Sequence, residues 1–147
     1  MKPFRLLLAI ALLATAAGSF AHAAEQTTVR AILVTASNEK GDSDRRLAAY
    51  VPTLRRILRF ESYRYVGEGS VSLAVPAKAP LTLGAGHRLE LETENASNAG
   101  IRLRLSWSEG NRVHMQTGLT LRPGVPAVLG GPRKGDGEVY AVIVIGR

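Results

Sequence analysis

The sequence predicts a mainly β fold of the α+β type, a small antiparallel β-sandwich or open barrel-like sheet with one amphipathic helix near its N-terminus. Three observations lead there. Residues 101–108 alternate apolar and polar without a break, so a strand would place Ile101, Leu103, Leu105 and Trp107 on one face and Arg102, Arg104, Ser106 and Ser108 on the other. Residues 87–94 and 113–122 carry the same period and flank that run across turn-rich gaps, the pattern of an antiparallel meander. Between residues 44 and 60 the apolar period changes to that of a helix.

The chain has 147 residues, enough for one domain with its own core. Its beginning is set apart in composition. Met1-Lys-Pro-Phe-Arg5 is a basic lead, residues 6–17 are an uncharged apolar run, and Gly18, Ser19 and the triplet Ala21-His-Ala23 follow. That order is the pattern of a secretory signal peptide over residues 1–23, with cleavage set by Ala21 and Ala23, leaving a single β-rich domain over residues 24–147. A membrane anchor would need ~20 apolar residues, more than this run supplies, and no later stretch is long and apolar enough to span.

In the mature chain, residues 27–36 combine β-branched residues with a continuous apolar centre and read as a strand buried on both faces. Residues 37–44 break it with turn formers and offer helix N-caps at Ser43 or Asp44. Leu47, Val51, Leu54 and Leu58 then fall on one helical stripe, with Tyr50 and Ile57 at its edge. Pro52 conflicts with a continuous helix, so the spacing predicts either a kink or a short first helix followed by a second with Pro52 in its first turn. Residues 62–66 and 70–75 read as paired strands joined by a turn at Gly67-Glu-Gly69, and the strand–helix–strand order would form a right-handed crossover if the strands were parallel neighbours. Residues 76–80 form an extended connector, residues 81–83 a short edge strand, and Gly84-Ala-Gly86 turns into the meander.

Within the meander, like faces must coincide. Leu91 opposite Leu105 and Leu89 opposite Trp107 would set Glu92 against Arg104 and Glu94 against Arg102, satisfying apolar and ionic pairings together. On the other side, Trp107 opposite Val113 would set Leu105 against Met115 and Ser106 against His114, across a turn at residues 108–112. Pro123 and Pro126 exclude a central strand after the meander, residues 127–129 pair briefly, and residues 130–137 read as a glycine-rich loop. Residues 138–145 are the most apolar strand, expected to be buried on both faces and to neighbour residues 27–36.

Chemistry is excluded more readily than assigned. The absence of cysteine removes disulfides, thiol nucleophiles and thiolate metal sites. After leader cleavage only His87 and His114 remain as histidines, too few for a multi-histidine metal site. His114-Met115 is a possible copper pair by ligand type, but strand neighbours point to opposite faces, which favours a surface histidine beside a core methionine. Glu90, Glu92 and Glu94 form a row on one exposed face with arginine partners available, rather than facing carboxylates across a cleft. The loop at residues 130–137 lacks the Gly-Lys-Ser/Thr ending of a phosphate cradle and precedes a strand. Asn95-Ala-Ser97 fits a glycosylation acceptor by pattern. Tyr63 and Tyr65 flank Arg64, but their alternation fits a core-facing pair, and nucleic-acid binding is disfavoured. No catalytic residue, metal ligand or cofactor fingerprint is assigned.

What remains is charge. The chain carries a formal +7, from 19 basic and 12 acidic residues, and loss of Lys2 and Arg5 with the leader leaves +5. Arg45, Arg46, Arg55, Arg56 and Arg59 are expected opposite the apolar helical stripe, and Arg133 and Lys134 at a loop tip. Together they form a candidate anion-binding set, the alternative being a solvated face. The expected role is that of an exported, non-enzymatic domain, periplasmic or secreted, acting by protein or cell-envelope contacts, with an envelope protein or an anionic surface as the expected partner. A polyanion or membrane-surface binder using the arginine face, and an atypical hydrolase, are the alternatives.

Overall fold

The computed structural model describes residues 26–147, so the expected signal peptide, with Ala21 and Ala23, lies outside the described residues. In chain order the elements are β1 (Gln26–Ser37), a single 3-10 turn (Arg45–Leu47), α1 (Val51–Leu58), β2 (Ser62–Ala74), β3 (Ala77–Gly84), β4 (His87–Ser97), β5 (Gly100–Glu109), β6 (Arg112–Leu121), β7 (Ala127–Gly135) and β8 (Glu138–Gly146). They form two four-stranded antiparallel sheets, β2-β1-β8-β7 and β3-β4-β5-β6, packed as a sandwich.

The two continuous apolar runs occupy the centre of the first sheet. β1 pairs with β8 along nine residue positions, Leu33 opposite Val142, and both strands are covered on both faces. On one side Val29, Ala31, Leu33, Val142 and Val144 meet Leu89, Leu91, Leu103, Leu105 and Trp107 of the second sheet. On the other, Ile32, Val34, Ala36, Ala141 and Ile143 meet Leu47, Leu54 and Tyr63. The molecule therefore has two apolar layers with one sheet between them, and the helical segment closes the second layer. Period-two strands of the second sheet need only one covered face, and their other face is solvated.

Pro52 splits the helical region as its chemistry requires. Asp44 caps the 3-10 turn by accepting from the Arg46 amide at 3.0 Å, and α1 starts afresh with Pro52 in its first turn, where no amide donor is needed. The helix stops at Arg59, which is left-handed at φ 59°.

Four local expectations are corrected. Gly67-Glu-Gly69 is not a turn, because β2 runs unbroken through it and pairs with β1. A Cβ on Gly67 would fall on the Leu83 carbonyl oxygen and one on Gly69 on that of Thr82, so these glycines mark where the two sheets approach rather than where the chain reverses. β1 and β2 are antiparallel, so no parallel crossover is formed. Residues 130–135 are not loop but the second half of β7, and the reversal is confined to Asp136-Gly137, with Gly137 at φ 70°. Residues 76–80 are largely taken up by β3, whose Pro80 sits opposite Glu90 on a sheet edge.

In the meander, Leu91 opposite Leu105, Leu89 opposite Trp107 and Glu92 opposite Arg104 are all found. A bulge between Thr93 and Asn95 then drops Glu94 out of the ladder and pairs Arg102 with Asn95. The Glu94 carboxylate still reaches Arg104 Nε at 2.7 Å and Arg102 Nε at 3.4 Å. The β5–β6 register departs further: Trp107 faces Met115, Leu105 faces Thr117 and Ser106 faces Gln116. The turn is tighter than expected, with Glu109 opposite Arg112 and Gly110 at φ 57°, and His114 is an extra, bulged residue between Val113 and Met115.

Gly131 has a partner that no local pattern reveals. A Cβ there would overlap the Trp107 ring, whereas one on Gly135 of the same strand would meet nothing within 4 Å. Gly131→Ala is therefore expected to lower stability by about 1–3 kcal/mol through overpacking, and Gly135→Ala to stay within about 0.5 kcal/mol of wild type. Urea unfolding of the two variants checks the contrast, and equal effects would contradict the packing described for Trp107.

Candidate functional site

The period-two face that buries Leu89 and Leu91 also carries His87 at the start of β4, and the register places it opposite Glu109. A core-facing imidazole needs a polar partner. His87 is 0% exposed and accepts a hydrogen bond from Trp107 Nε1 at its Nδ1, at 3.0 Å. Tyr140 of β8 packs on the ring with centroids 4.4 Å apart. His114, turned inward by its bulge, has a side chain only 13% exposed and lies 6.2 Å from His87 between ring centroids. The expectation of a surface histidine at 114 is thus corrected, since the bulge breaks the alternation on which it rested.

One carboxylate oxygen joins the two imidazoles. Glu109 Oε2 lies 3.2 Å from His114 Nε2 and 3.4 Å from His87 Nε2. The second contact is within ion-pair range but lacks hydrogen-bond geometry, and His87 Nε2 is otherwise without a partner. Glu109 itself is 45% exposed and is the most solvent-accessible member of the cluster.

The indole decides what His87 can do. Trp Nε1 only donates, so the Nδ1 it meets must be the acceptor nitrogen, and a neutral imidazole then carries its proton on Nε2. His87 therefore presents an N–H toward Glu109 and keeps no free lone pair for a metal ion or for proton abstraction. Adding a second proton would set two N–H groups against each other at Trp107. Burial pushes His87 below the ordinary histidine value of 6.5, and the opposing pull of Glu109 is weaker. No serine or threonine hydroxyl is hydrogen-bonded to either imidazole among the described residues. Nor do the described residues contain a group of three or more His, Asp or Glu side chains arranged to hold a metal ion.

The candidate anion-binding residues are all exposed. Arg45 and Arg46 stand on the 3-10 turn, Arg55 and Arg56 on α1, and Arg59 at its end. Two are engaged. Arg46 forms a two-pronged pair with Asp44, at 3.1 and 2.8 Å, and lies 4.0 Å over the Tyr65 ring. That pairing holds the Asp44 carboxyl down at about 2. Arg55 donates to the Glu61 carbonyl at 3.1 Å. Arg133 and Lys134 lie on β7, whose Gly130 packs beside Leu58 of α1. The outer face of the second sheet adds a shallow hollow of about 450 Å³ among Lys78, Glu90, Glu92 and Arg104, whose charges alternate in sign.

The histidine cluster was missed by sequence reasoning although its signal was present. His87 shares parity with Leu89, and the Leu89–Trp107 pairing places Glu109 beside it; His114 could not be placed without the bulge. Comparison of the chain with family models, with curated proteins and with solved structures finds no match.

The burial of neutral His87 makes stability depend on pH. The unfolded chain takes up a proton at His87 near 6.5 and the folded protein only at lower pH, so between those values the unfolded state binds more protons. Stability from this residue is complete above 6.5 and is lost as pH falls toward the folded value. Glu68 and Asp44, held down by their hydrogen bonds from Arg30 and Arg46, act only near and below their ordinary values of 4.5 and 3.8. Urea unfolding at about pH 7.5 and about pH 5 should show a lower midpoint at the acidic pH in wild type and a smaller difference in His87→Gln. Equal pH dependence in both proteins would contradict the neutral, donor-locked state.

Proposed function

We propose that the mature chain is an exported, non-enzymatic β-sandwich domain, periplasmic or secreted, which acts through protein or cell-envelope contacts. The observation that carries this reading is the state of His87. The only place where two imidazoles and a carboxylate converge among the described residues has the His87 lone pair occupied by the Trp107 indole, which removes His87 as a general base or metal ligand. The export half rests on the basic lead, the apolar run and the Ala21-His-Ala23 triplet. Among the described residues no helix is long and apolar enough to cross a membrane.

Expression of the full chain in a bacterial host should yield a protein whose N-terminus is Ala24, recovered in the periplasmic or culture fraction. The purified mature domain should give no turnover above buffer on esterase, phosphatase, glycosidase and peptidase panels. An uncleaved cytoplasmic product would overturn the export half. Turnover that disappears in His87→Gln or Glu109→Gln would overturn the non-enzymatic half in favour of the hydrolase alternative.

A second reading, a polyanion or membrane-surface binder, is favoured by one observation. Among the described residues, Arg45, Arg56 and Arg59 have no carboxylate partner, and Ile57 stands exposed between the last two. On this reading the mature domain binds anionic phospholipid vesicles or heparin, weakening steeply with salt, and the triple change Arg55→Ala, Arg56→Ala, Arg59→Ala removes most of that binding. Binding that ignores salt and survives the triple change would end it.

A further inference from the structure

A sandwich of two open sheets has four edges, and three of them here are blunted. β3 carries Lys78 and Pro80 and begins next to Pro76. β2 is closed over by β3 at Gly67 and Gly69 and bears Arg64 and Glu68. β7 is irregular beyond Gly130 and contains Pro132, Arg133 and Lys134. Prolines, lysines and irregularities of this kind are the usual means by which edges are kept from pairing.

β6 is the exception. Its bulge at His114 disturbs only the first positions, and from Met115 to Leu121 the strand is regular, with neither charge nor proline. No backbone hydrogen bond joins it to anything but β5 among the described residues. Seven residues with one free row of donors and acceptors form a template for another strand.

The midpoint of that run is Gly118, and nothing among the described residues accounts for a glycine there. Its φ is not in the left-handed region, and a Cβ would meet only the Leu103 carbonyl oxygen, at 3.9 Å, an ordinary contact. Glycine inside a strand weakens it and often marks a bulge, a bend, or the close approach of a ligand or another backbone. An antiparallel strand is its own complement about a two-fold axis. With that axis perpendicular to the sheet, opposite residues share a face, so the centre must fall on a residue rather than between two. Centred on Gly118, the pairing matches Thr117 with Leu119, Gln116 with Thr120 and Met115 with Leu121, and uses the regular run from end to end. No like charges meet.

We propose that β6 pairs antiparallel with β6 of a second copy of this chain, about a two-fold axis at Gly118, joining two four-stranded sheets into one of eight strands. The inference stands on the strand edge and not on the contact-domain reading above. A monomeric outcome would leave that reading intact.

The absence of cysteine makes the test direct, because one introduced thiol reports one position. At the axis the two Cα atoms at 118 would stand roughly 4.5–5.5 Å apart, within disulfide reach, whereas two thiols at 116 would be roughly 13 Å apart along the strands. Mature wild-type protein should show twice the monomer mass by light scattering at micromolar concentration. Under mild oxidation Gly118→Cys should form a covalent dimer about tenfold faster or more than Gln116→Cys. Gly118→Lys should give a monomer with wild-type circular dichroism, and Thr120→Lys, on the same exposed face, serves if that variant does not fold. A wild-type monomer at every concentration, equal cross-linking at 116 and 118, or a dimer that survives the lysine variants would each overturn the proposal.

Discussion

Burial of β1 and β8 on both faces is the constraint on which the rest of the molecule depends. A strand covered on one side needs alternation, but these two present consecutive buried residues, Ala31–Ala36, apolar except for Thr35, and Ala141–Val144, and so must be sandwiched. The second sheet supplies one cover and the helical segment the other. This explains why a single short helix persists in an otherwise β fold. Leu47 and Leu54 are fully buried against Ile32, Val34 and Ile143, and without them the outer face of the first sheet would be an apolar surface in water.

The same constraint shapes the second sheet, which needs only one apolar face. Its inner face is dominated by leucines and Trp107, with His87 and Thr93 among them, and its outer face is a mixed field of charges in which Glu94 holds Arg102 and Arg104. Exposed pairs of this kind contribute little, about 0.2–1 kcal/mol each, so the charges select register more than they stabilise. Trp107 is the largest fully buried side chain of this layer. It rests on the bare backbone of Gly131 and gives its one polar atom to His87, so a single side chain ties the second sheet to β7 and fixes the tautomer of the only buried histidine among the described residues.

Much of this was legible in the sequence because periodicity reports which faces are dry. The strands, the split at Pro52, the neighbouring of β1 and β8 and the β4–β5 register all follow from alternation, apolar continuity and proline chemistry. What was not legible depends on contacts distant in sequence. Gly67 and Gly69 read as a turn because a turn and a close strand crossing ask for the same residue, and only Leu83 and Thr82 overhead distinguish them. Gly131 misleads in the same way through Trp107. The bulge at His114 follows from no local pattern, yet it moves the imidazole from solvent to the side of His87 and Glu109. The arginines were correctly expected at the surface. That Arg46 and Arg55 would be held by Asp44 and Glu61 requires coordinates for the turns.

Native-state hydrogen exchange followed residue by residue tests the two-faced burial most directly. Amides of Ala31–Ala36 and Ala141–Val144 should exchange last, only through global unfolding, and their apparent opening free energy should equal that from urea unfolding. Leucine amides of β4 and β5 outlasting them would contradict a first sheet enclosed on both sides.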